Sequence, residues 1–183
     1  MVKKTLAEFK IEYMQIVDEN INVDESLMPK ISNEKIKQMF QWMALTRAFD
    51  EKALKLQRAG RLGTYASPRG QEASITGTVA ALQDDDFIFP TYRELTAWIA
   101  RNTPLDGLFV AWSGDERGQR PPEHVKNFCI AIPLGTQALH AVGYAYGIKY
   151  RKEKRIAITY FGEGTSSTGS TQIAMNFAGA WKL

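Results

Sequence analysis

The chain is poor in residues that bind metals or form covalent crosslinks. It contains one cysteine, Cys129, and two histidines among 183 residues. A single cysteine excludes an internal disulfide and a cysteine-cluster zinc site, and two histidines leave little scope for other metal chemistry. The low cysteine content fits a reducing compartment such as the cytoplasm.

Long apolar runs and an excess of one charge are also absent. No stretch approaches the roughly 20 apolar residues of a membrane-spanning helix, and the N-terminal sequence lacks the apolar region and cleavage site of a secretory signal. The 23 Lys and Arg residues nearly balance the 20 Asp and Glu residues, which leaves a net charge of +3. These features predict a cytoplasmic protein that binds neither nucleic acid nor a membrane.

The length of the chain and its distribution of polar and apolar residues predict one domain preceded by an arm. A chain of 183 residues can bury one hydrophobic core but is too short for two ordinary enzyme domains. Residues 1–30 scatter acidic and amide side chains among isolated apolar ones, which predicts an irregular N-terminal arm. Residues 31–183 are predicted to form the domain.

Capping residues and apolar spacing predict the helices. Ser32 suits an N-cap and Gly60 suits a stop, so a long helix is expected over residues 32–59. Its apolar stripe is expected to face the core, and the members of that stripe are Ile36, Met39, Phe40 and Met43. Further helices are predicted over residues 71–82, 91–102 and 136–150, and from Pro104 with Thr103 as its cap.

Two apolar runs predict buried strands of a parallel sheet. The run Phe87–Phe89 is bounded by Pro90, and residues 155–161 form a second β-prone run. Strands that alternate with helices predict an α/β fold, in which helices flank a parallel sheet. The three aspartates at 84–86 are expected to form a solvated turn.

A carboxylate between two glycines follows the second strand. Glu163 lies between Gly162 and Gly164, and a helix is predicted after Gly169. Ligands of open parallel sheets bind beyond the carboxyl ends of the strands, and a helix N-terminus at that edge favours phosphate. A single carboxylate suits Mg²⁺, which takes most of its oxygen ligands from phosphates and water.

Other interpretations of these residues remain open. A dinucleotide-binding fingerprint would need a third glycine where Ser167 stands, and a polar turn without a ligand also satisfies the pattern. Tyr92 and Arg93 directly follow the first strand, where a phenol and a guanidinium could clasp the same diphosphate. An arginine in that position could equally form a surface ion pair.

Four motifs, in this order, resemble the α subunit of the E1 component of 2-oxo acid dehydrogenase complexes, which are thiamine-diphosphate enzymes. The motifs are RLGTYASPRGQEA (61–73), FPTYRE (89–94), IPLGTQALHAVGYA (132–145) and ITYFGEGTSSTGSTQIAMNFAGAWK (158–182). The resemblance extends from about residue 27 to the last residue. It implies the thiamine-diphosphate-binding fold, with helices around a parallel sheet and with the C-terminal side of the domain absent.

The resemblance also implies a cofactor site. Tyr92 and Arg93 would hold the diphosphate of thiamine diphosphate, and Glu163 would bind Mg²⁺ with Gly164 and Thr165 beside the diphosphate.

Two further loops take roles from the same resemblance. Ile132 and Leu134 match positions whose backbone faces the thiamine aminopyrimidine, and Tyr65 falls where the family lines its substrate pocket. A structural potassium ion is possible in a loop that contains Pro133, Thr136 and Gln137.

The implied activity is decarboxylation of a 2-oxo acid and reductive acylation of the lipoyl group of E2. The glutamate at 163, the loop before residue 136 and Tyr65 favour branched-chain 2-oxo acids modestly over pyruvate. The implied partners are an E1 β subunit in an α2β2 heterotetramer, the lipoyl domain of E2, and the C-terminal part of the α subunit. No residue of this chain is assigned a catalytic role, and the chain is expected to be inactive without these parts. A truncated or split assembly fragment without catalysis is the alternative.

Overall fold

A computed structural model of the chain describes residues 3–183, so the first two residues of the predicted arm lie outside the described part. The chain divides into two compact units, one ending at Ile36 and the other spanning Lys37–Leu183. The elements are α1 (Asn33–Arg58), α2 (Glu72–Ala80), β1 (Phe87–Phe89), α3 (Leu95–Ala100), α4 (Leu105–Trp112), α5 (Thr136–Arg151), β2 (Ala157–Thr159), α6 (Glu163–Ser166) and α7 (Gly169–Trp181). Among the described residues, no helix is both long and apolar enough to cross a membrane.

The N-terminal unit is irregular before α1 begins. Val17 and Val23 form an isolated antiparallel bridge around a turn. The carboxylate of Asp18 holds this turn, because it accepts hydrogen bonds of 2.8–2.9 Å from the backbone N–H groups of Asn20 and Asn22 and from Nδ2 of Asn22. These bonds, chiefly the one from the Asn22 side chain, hold the pKa of Asp18 below its usual range.

Helix α1 begins and ends within a residue of the predicted bounds. The Ser32 hydroxyl accepts a hydrogen bond from the Lys35 N–H at 3.2 Å, and Gly60 adopts a left-handed conformation (φ +70°) after the last turn. Both features are local chemistry of a helix end.

The predicted core face of α1 is wrong. Ile36 and Phe40 are more than half exposed. The buried residues of the helix are Thr46, Phe49, Asp50 and Ala53. Their spacing places them on one face, but two of them are polar, so an apolar pattern could not reveal that face.

The sheet is small and parallel, and helices surround it, in agreement with the predicted α/β class. β1 pairs with β2 in the register Phe87–Ala157, Ile88–Ile158 and Phe89–Thr159. On its other side, Ile88 donates its N–H to the Lys126 carbonyl at 2.8 Å and accepts a hydrogen bond from the Phe128 N–H at 2.7 Å. β1 is therefore central, and the turn that follows it lies in the middle of the edge where ligands of such sheets bind.

The prediction of a fully solvated aspartate turn is also wrong. Asp84 and Asp85 are exposed, whereas Asp86 is only 3% exposed. Asp86 Oδ1 accepts a hydrogen bond from the Ile156 N–H, and its Oδ2 accepts one from the Gln83 N–H, each at 2.7 Å. One buried carboxylate thus joins the segments that lead into β1 and β2.

Two predicted helix starts need correction. Thr103 does not cap α4; Pro104 takes the N-cap position without a side-chain hydrogen bond, and Thr103 Oγ1 is buried without a partner. The helix predicted from Thr91 begins only at Leu95, because residues 91–94 form a separate turn that is closed by hydrogen bonds from Thr91 to Glu94.

Two apolar clusters form the core, and the smaller one includes the sheet. The larger contains Phe49, Ala53, Tyr65, Leu95, Trp98, Ile99, Leu108, Trp112 and Val125. The smaller contains Ile75, Val79, Ile88 and Ala97. The smaller cluster lies on β1 and fixes α2 and α3 against the strand, so α2 stands beside the strand ends.

An ion pair joins α1 to α2. Arg47 donates to Glu72 Oε1 through Nε at 2.8 Å and lies 2.6 Å from it through a second nitrogen, while Glu72 Oε2 accepts a hydrogen bond from the Gly70 N–H at 2.8 Å. Burial of Glu72 favours its protonated form, but backbone N–H donors and Arg47 outweigh burial and hold the pKa of Glu72 below its ordinary value.

Arg47→Ala is expected to lower the free energy of unfolding by about 1–2 kcal/mol at neutral pH, a range reduced because Arg47 is partly exposed. Since the folded-state pKa of Glu72 lies below the ordinary value of 4.5, the stabilisation is present above that value and is lost as the pH falls through the folded-state pKa. Urea unfolding at neutral and acidic pH measures it, with Arg58→Ala on the same helix as control. A deficit of equal size at both pH values would contradict the assignment.

Candidate functional site

A cleft of about 720 Å³ lies where the segments after β1 and β2 leave the sheet. Its walls come from α2, from the turn at residues 91–94, from the loop before α5 and from residues 159–165. The volume falls within the range of small-ligand sites, and its position is the one that parallel sheets use for ligands.

The turn after β1 presents Tyr92 and Arg93 to this cleft. Glu94 is buried, and its Oε2 accepts hydrogen bonds from both the N–H and the hydroxyl of Thr91 at 2.6 Å. These two hydrogen bonds close the turn and fix Tyr92 and Arg93 at the cleft wall. Glu94 also lines the cleft, with its Oε2 held by these two hydrogen bonds within the turn.

Arg93 is partly buried and is held from two sides. One terminal nitrogen donates a hydrogen bond to the Ser67 carbonyl, and its Cζ lies 5.4 Å from the centre of the Tyr92 ring. No described carboxylate forms an ion pair with Arg93. A guanidinium has five N–H donors, so this oriented cation keeps donors for an anion in the cleft.

The glycine-flanked carboxylate stands at the start of α6. Gly162 is the N-cap residue of this short helix, and Gly164 and Thr165 line the cleft. A Cβ on either glycine would meet no atom within 4 Å, so the backbone here is open to a close-fitting ligand. Glu163 itself is exposed and lies outside the cleft lining.

The described residues contain no group of three or more His, Cys, Asp or Glu side chains that could hold a metal ion. Glu163 is therefore a single carboxylate within this part of the chain. That arrangement suits Mg²⁺ only where phosphate and water oxygens complete the coordination.

The loop before α5 contributes one side of the cleft. Leu134 lines the cleft, whereas Ile132 and Pro133 are exposed and lie outside the lining. Gln137, in the first turn of α5, is fully buried and donates from Nε2 to the Tyr160 carbonyl at 2.9 Å. Its Oε1 is buried and accepts no hydrogen bond from the described residues.

Tyr65 lies in the larger apolar cluster and not in the cleft lining. Its hydroxyl donates to Asp50 Oδ1 at 3.0 Å, and its ring meets Trp112 edge-on at 5.0 Å between centres. Burial, together with the Asp50 carboxylate, raises the pKa of Tyr65, so its phenol stays protonated. Its assignment to a substrate pocket stays a prediction.

Sequence reasoning missed one wall of the cleft. Gln71, Ser74 and Thr78 of the α2 segment line the cleft, and the Thr78 hydroxyl lies 2.8 Å from the Tyr160 hydroxyl. Burial raises the pKa of Tyr160, against the opposing effect of the Thr78 hydrogen bond, so this phenol remains a neutral hydrogen-bonding group. The signal was the spacing of three and four residues between Gln71, Ser74 and Thr78, which places them on one face of the α2 segment together with Ile75.

The fold and the cleft define an α/β protein with a ligand site at the carboxyl edge of a parallel sheet, lined by an arginine and by open glycine backbone. Comparison with known proteins makes this class specific. The family model described as "Dehydrogenase E1 component" matches residues 40–183. The chain belongs to the dehydrogenase E1 component family, and the resemblance drawn from the four motifs is confirmed.

Individual relatives support the same conclusion. The chain is 39% identical over 174 residues to the pyruvate dehydrogenase E1 component subunit alpha of Staphylococcus epidermidis. This alignment covers 94% of the chain and 47% of the relative. It is 38% identical over 182 residues to the protein of that name from Bacillus cereus, and this alignment covers 99% of the chain and 48% of the relative. The chain thus spans about half the length of the curated relatives it matches.

Proposed function

We propose that this chain forms the diphosphate and Mg²⁺ half of a thiamine-diphosphate site in a 2-oxo acid dehydrogenase E1. The observation that carries this proposal is the meeting of two motifs in one cleft. Arg93 lines it from the turn after β1, and Gly164, whose backbone is open, lines it from the turn after β2. An oriented cation and accessible backbone in one cleft suit the binding of a diphosphate.

The residues present fit this cofactor. Arg93 and Tyr92 would hold the diphosphate from the turn after β1, while Gly164 and Thr165 would flank it from the turn after β2. Both glycines around Glu163 face open space, so a phosphate can approach the backbone there without meeting a side chain.

The loop before α5 would contact the other end of the cofactor. The backbone of Ile132 and Leu134 would face the aminopyrimidine, with Leu134 already in the cleft wall. When bound, thiamine diphosphate supplies the nucleophilic carbon and the electron sink for decarboxylation of a 2-oxo acid. The chain's own residues bind, orient and shield it.

This chain would supply only some of the ligands of the metal ion. Glu163 would give Mg²⁺ one carboxylate oxygen, and the remaining ligands would come from the diphosphate, from water and from protein groups beyond this chain. A potassium ion near Pro133, Thr136 and Gln137 is supported by the buried Gln137 Oε1, an oxygen that has no hydrogen-bond donor among the described residues.

The substrate is a 2-oxo acid. The relatives named pyruvate dehydrogenase favour pyruvate, whereas the glutamate at 163 and the loop before α5 favour a branched-chain acid. Decarboxylation rates with pyruvate and with a branched 2-oxo acid, measured in the complete assembly, decide between them. That assembly would contain an E1 β subunit in an α2β2 heterotetramer, the remainder of the α subunit and the lipoyl domain of E2, which accepts the acyl group.

Glu163→Gln is expected to raise the Mg²⁺ concentration needed for half-maximal thiamine-diphosphate binding at least about tenfold, because an amide oxygen is a poorer ligand for this ion than a carboxylate. The measurement is a Mg²⁺ titration of cofactor binding in the assembly with the β subunit. Glu123→Gln, an exposed glutamate in the loop after α4, is the control. An unchanged Mg²⁺ dependence of the Glu163 variant would remove this residue from the site.

A further inference from the structure

A cluster of hydroxyl groups stands at the start of α7, behind the cleft. Thr168 Oγ1 lies 3.1 Å from Ser170 Oγ and 3.0 Å from Thr171 Oγ1. It also donates to the Thr165 carbonyl at 2.8 Å. A hydroxyl has one proton, and Thr168 gives it to the Thr165 carbonyl, so its oxygen acts as an acceptor toward its neighbours. One of its donors is the Thr171 N–H at 3.4 Å, which makes Thr168 the N-cap of α7. Thr171 is fully buried, whereas Thr168 and Ser170 are half-buried.

Gly135 packs directly on this cluster. Its φ of +90° is left-handed, and a Cβ there would lie 2.2 Å from Ser170 Oγ and 2.8 Å from Thr168 Oγ1. The backbone of the loop before α5 therefore touches the hydroxyls with no side chain between them. We call Gly135, Thr168, Ser170 and Thr171 the hydroxyl clamp.

The hydroxyl clamp connects two cleft walls that the sequence separates. Leu134, next to Gly135, lines one wall, and Thr165, which bonds to Thr168, lines the other. None of the four clamp residues lines the cleft. The clamp can thus affect a ligand only through the spacing of the two walls.

We propose that Thr168 is a positioning residue that holds the Leu134 wall and the Thr165 wall at the separation that thiamine diphosphate needs. This inference rests on the proposed function. It predicts that loss of the Thr168 hydroxyl weakens the binding of thiamine diphosphate more than the binding of inorganic pyrophosphate. The reason is that thiamine diphosphate would contact both walls, whereas pyrophosphate would contact only the wall that binds the diphosphate.

The test compares Thr168→Val, which removes the hydroxyl and keeps the shape, with Thr168→Ser, which keeps the hydroxyl. In the intact assembly with the β subunit and saturating Mg²⁺, Thr168→Val is expected to weaken thiamine-diphosphate binding about five- to tenfold and pyrophosphate binding less than about twofold. Thr168→Ser should restore the wild-type ratio of the two dissociation constants. The exposed neighbour Ser167→Ala is the matched control.

The possible outcomes separate the two proposals. An unchanged ratio in Thr168→Val, with either no loss or equal losses for both ligands, overturns the positioning role. Wild-type protein that binds neither ligand overturns the proposed function itself. Thermal unfolding of the ligand-free variants, recorded alongside, shows whether equal losses come from a general loss of stability.

Discussion

Arg93→Ala is expected to weaken thiamine-diphosphate binding by about 100-fold, the largest effect of any single substitution in the cleft. The guanidinium is the only cationic group in the cleft lining formed by the described residues. A 100-fold loss is about 2.7 kcal/mol, and a charge-assisted hydrogen bond to a phosphate contributes about 1.5–3 kcal/mol, so one or two such bonds account for it. The effect should fall on binding, because Arg93 lies on the diphosphate side and not beside the reacting carbon in the proposed site.

The measurement is the dissociation constant of thiamine diphosphate in the assembly with the β subunit. Arg93→Lys should recover only part of the affinity, because an ammonium group does not reproduce the planar pair of donors. Arg69→Ala is a matched control, since Arg69 is an exposed arginine whose ion pair with Glu51 spans 3.8 Å. Equal affinities of Arg93→Ala and Arg69→Ala would rule out the diphosphate assignment.

A fold control is needed for Arg93 because its side chain also donates to the Ser67 carbonyl. That contact joins the turn after β1 to the segment before α2. Unfolding of each variant should therefore be recorded without cofactor. That bond has a charged donor and contributes about 1.5–3 kcal/mol to stability, so the affinities are compared under conditions in which every variant is folded.

Asp86→Ala is expected to lower the free energy of unfolding by about 3 kcal/mol, a larger effect than the ion pair between α1 and α2. The substitution removes the acceptor for two backbone N–H groups, those of Ile156 and Gln83, each bonded at 2.7 Å. A buried donor left without a partner costs about 1–3 kcal/mol. Both donors belong to the segments that lead into the strands, so the loss should weaken pairing between β1 and β2.

Neighbouring aspartates provide the controls for this experiment. Asp85→Ala, at an exposed position of the same turn, should change stability by less than about 0.5 kcal/mol. Asp86→Asn keeps one carbonyl acceptor and should lose about half as much as Asp86→Ala. Urea unfolding of the three variants measures the differences. Similar stabilities for Asp85→Ala and Asp86→Ala would show that the buried carboxylate does not hold the strands.

Local chemistry explains which parts of the fold were predictable. The bounds of α1 follow from Ser32 and Gly60, whose effects on a helix end act within a few residues. The two strands follow from short apolar runs, and their parallel pairing follows from the helices that separate them. The residues at the strand ends could be located for the same reason, since they follow directly from the positions of the strands.

Which of several similar residues is buried depends on packing, and the sequence did not predict it. Three successive aspartates look alike in the sequence, yet only Asp86 turns inward to meet the Ile156 N–H. The apolar stripe of α1 was expected to be buried, but the buried face contains Thr46 and Asp50. Burial depends on which elements cover a face, and that information lies in residues distant along the chain.

For this chain, the order of residues alone was enough to establish the family, the alternation of helices and strands, and the motifs at the strand ends, because each depends on short stretches of sequence. The three-dimensional arrangement was needed to show that Arg93, Leu134 and Gly164 line one cleft, and that α2 forms a further wall. It also revealed the contact between Gly135 and the hydroxyls at the start of α7. These contacts join segments that are distant in sequence, and only the packing of helices around the sheet brings such segments to within a few ångströms of each other.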